Sequence, residues 1–470
     1  MNSFQANPPK KKLMSVMAVY IAVATSIMLS SGGSTMLPVA AAEIGGANIY
    51  TMALTLPSVI GIPLMPLFGY ISARNPAIRR PLFVTGFLLA AVSIFLRGIA
   101  QNMWVIVITS LLLCMYSPSI YVLGYSMIRE MYDQKQAGIY LGAVGTMQSI
   151  GLLLGPLLTG FLIEEISWRA VNFVIFPLFL LAAALMFLGA RITKEEGKAM
   201  ATTTSKFDSA GGMAVMVFLT ALILFLSLGE YAPFGSTLNI IFLVTAIVAL
   251  IYLITIIRKK GNDAFIPAPV LKDTNTLCLM SAVFFTTCSA MAITIFMPVY
   301  ILYIMKQVAS VTGIAMAIYA VAGLFMGPIY GQIIGKAGNA RSVVMWGSGA
   351  LRCIVVIACI FLLSADTPIW LVYALMLISG FYSSAGGVAF AVAPQIQLRS
   401  EIRQQGNSII QLGQNFGGST SIAVYTAVMA MMGGPEKGFT VVLIISAVSA
   451  AIVFFLGIPL KKLETSAAQK

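Results

Sequence analysis

Long apolar segments, separated by short polar ones, run along the chain from residue 13 to residue 460. A helix needs about 20 mostly apolar residues to cross the hydrocarbon core of a bilayer, and the segments are of that length. They lie at residues 13–37, 49–71, 81–100, 103–127, 137–163, 170–190, 208–229, 238–257, 276–305, 311–334, 342–364, 368–394, 407–432 and 439–460. The pattern predicts an all-α integral membrane protein with about 14 transmembrane helices.

Composition supports this class and removes several others. The chain has 470 residues, of which 59% are hydrophobic and 9% are charged, and its mean hydropathy is +0.95. A soluble domain cannot bury so much apolar surface. The sequence contains no histidine, and its 5 cysteines are not spaced as ligands, so neither a metal site nor a cofactor is predicted. No catalytic constellation appears, and an enzyme is not expected.

The net charge of +13 suggests a nucleic-acid partner only until the basic residues are placed along the chain. With the N-terminus inside, most of the 28 Lys and Arg fall in inner loops; only Arg97, Arg169, Lys306 and Lys437 count as outside. Cytoplasmic loops collect basic residues, so both termini are predicted to be cytoplasmic in a cell membrane, and no nucleic acid is expected. Segment 13–37 is too long for the apolar core of a cleaved signal peptide.

Glycine and proline interrupt the fifth segment at short intervals, at Gly151, Gly155, Pro156 and Gly160. Small residues at such spacing let two membrane helices approach closely. The proline removes one backbone donor and permits a bend. The run predicts a close, bendable helix contact of the kind that a rocking transporter needs.

Two further stretches correspond in the two halves of the chain. Residues 69–80 and 331–341 are both glycine-rich helix ends followed by basic loops, and the first contains Gly69, Arg74 and Arg79. Together with residues 151–160, 167–173 and 207–211, they make the chain resemble the 14-helix drug:proton antiporter-like family of the major facilitator superfamily. The resemblance implies two six-helix bundles, at residues 13–190 and 273–460, joined through cytoplasmic loops and two extra transmembrane helices at residues 191–272.

The chain departs from that family where charge matters. It has Ala73 where the gating loop is expected to carry an acid, no arginine near Ser110, and apolar or hydroxyl residues around Leu29 where an aspartate is usual. None of its 15 acidic residues lies in the middle of a predicted span. Proton coupling therefore follows from the resemblance but has no intramembrane carboxylate to support it. Arg352 is the one charge expected near mid-membrane, either packed against neighbouring helices or facing an anionic substrate.

Polar side chains recur on the helices that the resemblance places around a central cavity. On the fourth segment, Ser110, Cys114, Ser117, Tyr121 and Tyr125 follow helical spacing, and stripes also occur on later segments. The candidate cavity residues are Ser31, Ser34, Ser117, Tyr121, Gln148, Thr287, Thr294, Tyr300, Ser383, Gln411 and Asn415. They predict an uncharged cavity lined by hydroxyl, amide and aromatic groups, although each hydroxyl taken singly also fits helix packing.

Three functions follow from these features. The first is a monomeric secondary transporter that moves amphipathic or lipophilic small organic molecules by alternating access, most simply in multidrug efflux. The second is an uptake symporter or uniporter for an amphipathic acid or nutrient, which the absence of a coupling carboxylate favours. The third is a non-transporting membrane sensor, against which the absence of a soluble domain argues.

Overall fold

The computed structural model describes residues 7–46, 49–193, 195–197, 201, 208–227, 236–307, 309–432 and 435–462. All regular structure in these ranges is helical. The first six helices are α1 (Pro9–Ile44), α2 (Tyr50–Arg74), α3 (Arg79–Gly98), α4 (Met103–Met131), α5 (Gln134–Glu165) and α6 (Trp168–Leu188). These helices coincide with the first six predicted segments, and several of them extend a turn or more beyond the predicted limits.

The remaining long helices follow the later segments in the same way. They are α7 (Ser209–Ser227), α8 (Thr237–Lys260), α9 (Thr274–Leu302), α10 (Ala309–Ala337), α11 (Val343–Leu362), α12 (Ile369–Gln397), α13 (Ser400–Met431) and α14 (Pro435–Gly457). Single-turn 3₁₀ helices lie at Pro76–Ile78 and Gly261–Asp263, and a short α-helix lies at Ala268–Lys272.

The predicted number of transmembrane helices is supported only in part. Within the described part of the chain, 12 helices are long and apolar enough to cross a membrane, and α7 and α13 are not among them. The apolar part of α7 covers only Ser209–Phe225, and residues 228 and 229 of its predicted span lie outside the described residues. α13 has 32 residues but many amide and hydroxyl side chains, which lower its hydropathy. By length and hydropathy alone, twelve of the described helices qualify as spans.

Polar caps explain where several helices begin. The side chain of Asn102 accepts a hydrogen bond from Val105 N at 3.0 Å, and that of Asp273 accepts one from Thr276 N at 2.8 Å. Each bond satisfies one of the backbone donors that a helix N-terminus leaves without a partner. After α8, Gly261 has φ +56°, a conformation in which a side chain would be strained, and the chain turns there.

Regular α-helical winding breaks down in three of the long helices. α4 contains the 3₁₀ stretch Leu111–Met115 and the π-helix Ser119–Gly124, and α11 opens with the π-helix Val343–Leu351. In α9, π-helices occupy Ala292–Phe296 and Tyr300–Ile304, on either side of Pro298. π-helical turns inside α-helices are frequent at functional sites. They also shift every later side chain around the helix axis, so positions read from a 3.6-residue period rotate off their predicted face.

The chain divides into two compact units. The first contains the described residues of Met1–Met131 and Met147–Ala268, and the second contains those of Tyr132–Thr146 and Pro269–Lys470. α7 and α8 therefore belong with α1–α4 and α6, and α7 packs against both α8 and α2. Helix α5 belongs to the first unit in its later part and to the second unit in its first part.

Candidate functional site

The glycine run of α5 lies against α1 inside the first unit. A methyl group on Gly151 would lie 2.5 Å from Ala24 O, and one on Gly155 would overlap Ser31 Oγ and lie 3.0 Å from Met28 O. The two backbones are in contact there because neither position carries a side chain. Gly160 has no neighbour within 4 Å of such a methyl group, so it takes no part in the contact.

The first part of α5 makes a similar contact within the second unit. A methyl group on Gly142 would lie 2.7 Å from Gly331 Cα, and one on Gly327 would lie 2.8 Å from Gly142 O. Gly331 in turn faces the carbonyl oxygen of Gly138. Thr146 Oγ1 donates a hydrogen bond to Leu324 O at 3.0 Å across the same contact. The glycines that sequence analysis placed in the 331–341 stretch thus serve a helix–helix contact.

The loop after α2, within residues 69–80, is held by a charge pair that was not predicted from the sequence. Arg79 is 3% exposed, forms an ion pair with Glu130 at the end of α4, and donates to Ser72 O at 3.2 Å. Arg74 lies over the ring of Tyr70 at 4.5 Å. The acid expected at residue 73 is absent, and a carboxylate from another helix supplies the negative charge.

A buried aspartate ties the two extra helices to the end of α2. Asp208, 2% exposed, accepts hydrogen bonds from Gly211 N at 2.9 Å, Phe265 N at 2.8 Å and Lys260 Nζ at 2.7 Å. Its own backbone N donates to Tyr70 Oη at 2.9 Å. Burial alone raises the pKa of the Asp208 carboxyl, but the bonds from Lys260, Gly211 and Phe265 together bring it below its usual range. The carboxylate is therefore ionised at neutral pH.

The first unit buries a second arginine that sequence analysis had counted with the outside charges. Arg97, near the end of α3, is 3% exposed; it donates to Ser110 Oγ on α4 and to Ala53 O on α2, the latter at 3.3 Å. Ser110 is fully buried by this contact, so it cannot face a central cavity. The only sequence signal was the position of Arg97 three residues before the end of the predicted span.

On α4, the predicted polar stripe is divided by the irregular winding. Ser117 and Tyr121 are half-buried, whereas Tyr125 is only 1% exposed. Tyr121 lies in the π-helix, is hydrogen-bonded to the Gln148 side chain of α5, and meets the Tyr125 ring edge-on at 5.6 Å. The structure thus brings Tyr121 and Gln148, two predicted cavity residues, together in the first unit.

The α1 candidates have separate positions. Ser31 is half-buried, donates to Ile27 O at 2.8 Å and packs on Gly155, so its hydroxyl belongs to the α1–α5 contact. Residue Ser34 is helical, but its side chain lies outside the described residues.

In the second unit, α9 carries three candidates. Thr287 and Thr294 are half-buried, and each donates to a carbonyl of its own helix, Val283 O at 2.8 Å and Ala290 O at 3.1 Å. Tyr300 is instead buried, with its ring stacked on Phe439 at 4.4 Å. It lines a cavity of about 240 Å³ between the ends of α9, α11 and α14.

On α12 and α13, two candidate residues bond to other helices of the same unit and one bonds within its own helix. Ser383 is half-buried and accepts a hydrogen bond from Tyr319 Oη at 2.5 Å. Gln411 is 1% exposed and donates to Phe390 O at 3.0 Å. That carbonyl lacks its usual helical donor because the residue four positions later is Pro394. Asn415 is half-buried and donates to Gln411 O at 2.9 Å.

Arg352 is buried among neutral groups. It is 1% exposed, donates to Thr286 O at 2.6 Å, and its guanidinium lies 4.7 Å from the centre of the Tyr382 ring. A methyl group on Gly386 would be 3.3 Å from Nη2, so the absence of a side chain there makes room for the arginine. None of the three ion pairs among the described residues includes it. The geometry is that of an arginine tying α9, α11 and α12 together.

Acidic side chains lie near the ends of α1 and α5. Glu43, beyond the membrane-spanning part of α1, accepts from Trp168 Nε1 at 2.9 Å and pairs with Arg169 at 2.5 Å. The Arg169 hydrogen bond lowers the pKa of the Glu43 carboxyl. Glu164 and Glu165 are exposed, and Glu230 lies outside the described residues. Across the described ranges, no three His, Cys, Asp or Glu side chains come together as a metal site.

Comparison with known sequences gives a family match over most of the chain. The sequence profile described as Major Facilitator Superfamily matches residues 19–269 and 279–470. The Multidrug transporter protein MdtP of Bacillus subtilis (strain 168) is 21% identical over 334 residues, which cover 71% of this chain and 60% of that protein. Multidrug resistance protein 3 of the same organism is 21% identical over 425 residues, covering 89% of this chain and 80% of that protein. The chain thus spans 60% of the length of the first relative.

Among solved structures, the human organic anion transporter MFSD10 (TETRAN) is similar in fold. It aligns with a TM-score of 0.60 at 13% identity, over 95% of this chain and 100% of that one. At this level of identity the likeness establishes the fold and carries no information about substrate.

Proposed function

Because the chain belongs to the Major Facilitator Superfamily, we propose that it is a secondary transporter that moves amphipathic or lipophilic small organic molecules by alternating access, and that its physiological role is multidrug-type efflux. Both curated relatives described above are named for multidrug transport. In this fold, two helix bundles rock about a site near the middle of the membrane.

The observation that best supports alternating access is the pair of backbone contacts on α5. Its later part meets α1 at Gly151 and Gly155, and its first part meets α10 at Gly142 and Gly331. Contacts made without side chains leave no interlocking groups to separate when helices slide or tilt. Pro156 lies after both contacts in the same helix. Because proline has no backbone N–H, one helical hydrogen bond is missing there and the helix can bend.

We propose that each unit, taken by itself, offers half-buried polar groups to the substrate. In the first unit these are Ser117, Tyr121 and Gln148, and in the second they are Thr287 and Thr294. The hydroxyls of Thr287 and Thr294 are bonded to carbonyls of their own helix, so they present weakly polar surfaces that an amphipathic molecule matches. Ser383 and Asn415 extend the same surface chemistry, whereas Tyr300 and Gln411 are buried and act by supporting it.

The coupling mechanism does not require a proton carrier within the spans. Asp208, which is 2% exposed, is paired with Lys260. A carboxylate held by a cation stays ionised and is poorly suited to pick up and release a proton near neutral pH. We therefore propose that transport does not depend on an obligatory pH gradient.

Flux into proteoliposomes tests both proposals. Purified protein is reconstituted, fluorescent amphipathic cations and neutral dyes are added, and uptake is followed with and without an imposed pH gradient and a potassium-diffusion potential. We expect protein-dependent flux in the absence of a pH gradient. Strict dependence on that gradient would contradict the coupling proposal, and no flux of any dye by folded protein would contradict the transporter proposal.

A matched pair of variants on α10 connects flux to the glycine contact. Gly331→Ala places a methyl group 2.6 Å from Gly142 Cα, whereas Gly313→Ala places one in open space. We expect the first variant to lose most of its flux at normal expression and the second to keep it. Equal flux by both variants would remove the α5–α10 contact from the mechanism.

We further propose that α7 and α13 also cross the bilayer. With fourteen spans, the organisation is a bundle at residues 13–190, two extra helices within 191–272 and a second bundle at 273–460, in a cell membrane with both termini cytoplasmic. The 32 residues of α13 give it a length of about 48 Å, and its polar side chains are largely buried. Membrane-impermeant labelling of single cysteines in loops 191–206 and 258–272 tests this, since both loops should react only from the inside.

A further inference from the structure

The end of α6 lies between α1 and α3 and is fixed to both by hydrogen bonds to its backbone. On the α1 side, Asn7 donates to Arg191 O at 3.1 Å and accepts from Arg191 N at 3.2 Å. On the α3 side, Arg80 Nε donates to Met186 O at 3.2 Å. The positions of these two arginines are therefore set by backbone contacts and not by a carboxylate.

Arg80 and Arg191 bring two positive charges together. The Arg80 side chain reaches Met186 O, and Arg191 follows five residues later in the same segment, so both positive charges lie at this end of α6. The ring of Phe187 lies 5.2 Å from Arg80 Cζ, and only Nε of that guanidinium has an acceptor among the described residues. Neither arginine belongs to the ion pairs of the described chain. Two cations held this way favour an anion, and the terminal nitrogens of a guanidinium match two phosphate oxygens.

An exposed apolar surface runs from this cluster towards the membrane interior. On α1, Lys10, Leu13 and Met17 are spaced as one helix face; Lys10 is exposed, and Leu13 and Met17 are 51% and 42% exposed. On α6, Phe187 and Leu188 are 61% and 55% exposed. A basic residue with apolar neighbours further along each helix is the arrangement that a membrane lipid requires, with its head group at the cations and its chains along the helices.

We propose that Arg80 and Arg191, with Lys10, bind the phosphate of an anionic phospholipid whose acyl chains lie along the exposed faces of α1 and α6. Basic sites between helices at the cytoplasmic side of a membrane bind lipid head groups. A soluble phosphate compound would use the cations but leave the apolar surface without a role. The site lies on the outside of the first unit and is independent of the proposed transport function.

Native mass spectrometry of the full chain in detergent tests the site, with phosphatidylglycerol and phosphatidylcholine titrated separately. The variant Arg80→Gln/Arg191→Gln is compared with Arg258→Gln/Lys259→Gln, which removes two exposed cations from the end of α8. We expect the first variant to bind phosphatidylglycerol about 25-fold more weakly, or about fivefold per arginine. Binding by the α8 variant should change less than twofold, and phosphatidylcholine binding should be the same for all three proteins.

Because Arg80 caps the end of α6, the exposed Arg191→Gln is measured alone as a variant that keeps this cap. It should lose about fivefold in affinity for phosphatidylglycerol. Glycerol 3-phosphate at the same concentration should not compete, since it lacks acyl chains. Equal losses in the α8 variant, equal binding of phosphatidylcholine, or full competition by glycerol 3-phosphate would each overturn the proposal.

Discussion

Replacing Asp208 with alanine should loosen the junction between the extra helices and the end of α2. The carboxylate caps α7 by accepting a hydrogen bond from Gly211 N. It also accepts one from Phe265 N, in the loop after α8. Loss of a helix cap costs about 1 kcal/mol. A buried N–H left without an acceptor, as at Phe265, costs about 1–3 kcal/mol more. The local opening free energy should therefore fall by about 2–4 kcal/mol.

Amide hydrogen exchange measures this change where it occurs. A fall of about 2–4 kcal/mol accelerates exchange by about 30- to 1,000-fold, since each 1.4 kcal/mol is a factor of ten. The informative peptide covers residues 262–267, whose sequence the Asp208→Ala variant leaves unchanged. Glu195→Ala serves as the control, because Glu195 is an exposed carboxylate outside this peptide. Unchanged protection of residues 264 and 265 in Asp208→Ala would refute the role assigned to the carboxylate.

The pH dependence of the same junction has a definite sign. Hydrogen bonds bring the folded-state pKa of Asp208 below its usual value of 3.8. A group with a lowered pKa contributes its full stabilisation above the unfolded-state pKa and loses it as the pH falls through the folded-state pKa. Protection of residues 262–267, corrected for intrinsic exchange, should therefore be constant from about pH 5 to 8. A loss of protection near pH 6 would show that another group controls the junction.

Two further substitutions test contacts inside the first unit. Glu130→Gln leaves the buried Arg79 without a counter-charge and should destabilise the protein by about 3 kcal/mol, seen as a lower thermal midpoint in detergent; an unchanged midpoint would show that solvent or lipid already screens the pair. Gly155→Ala should cost about 1–3 kcal/mol by overpacking against Met28 O. Gly160→Ala should be neutral in the same assay, and equal effects of the two would refute the α1–α5 contact.

Much of the fold could be predicted because one simple rule governs it. Backbone groups in a bilayer must be satisfied within the segment, so every apolar stretch of sufficient length becomes a helix. The family is confirmed by a match over residues 19–269 and 279–470. The number of spans is harder to predict. Buried amides such as Gln404 and Gln411 lower the mean hydropathy of α13, so a count based on hydropathy does not include it.

The side-chain predictions were limited by geometry that the sequence does not display. The stripe from Ser110 to Tyr125 assumed a 3.6-residue period, but 3₁₀ and π-helical turns within α4 rotate its members onto different faces. Arg97 was counted with the outside charges and no partner was predicted for Arg79, yet both arginines make buried contacts with other helices. A hydropathy window cannot detect such partners, because they are distant in sequence.

The buried charges indicate which parts of the molecule can move and which cannot. Arg97 and Arg352 each bind carbonyl or hydroxyl oxygens of neighbouring helices in one unit, so moving those helices apart would leave a cation without acceptors. The glycine contacts on α5 impose a smaller cost, because no charged side chain depends on them. If the transporter rocks, the arginine-linked helices should therefore move as rigid groups, and the change should be concentrated along α5, where Gly142, Gly155 and Pro156 lie.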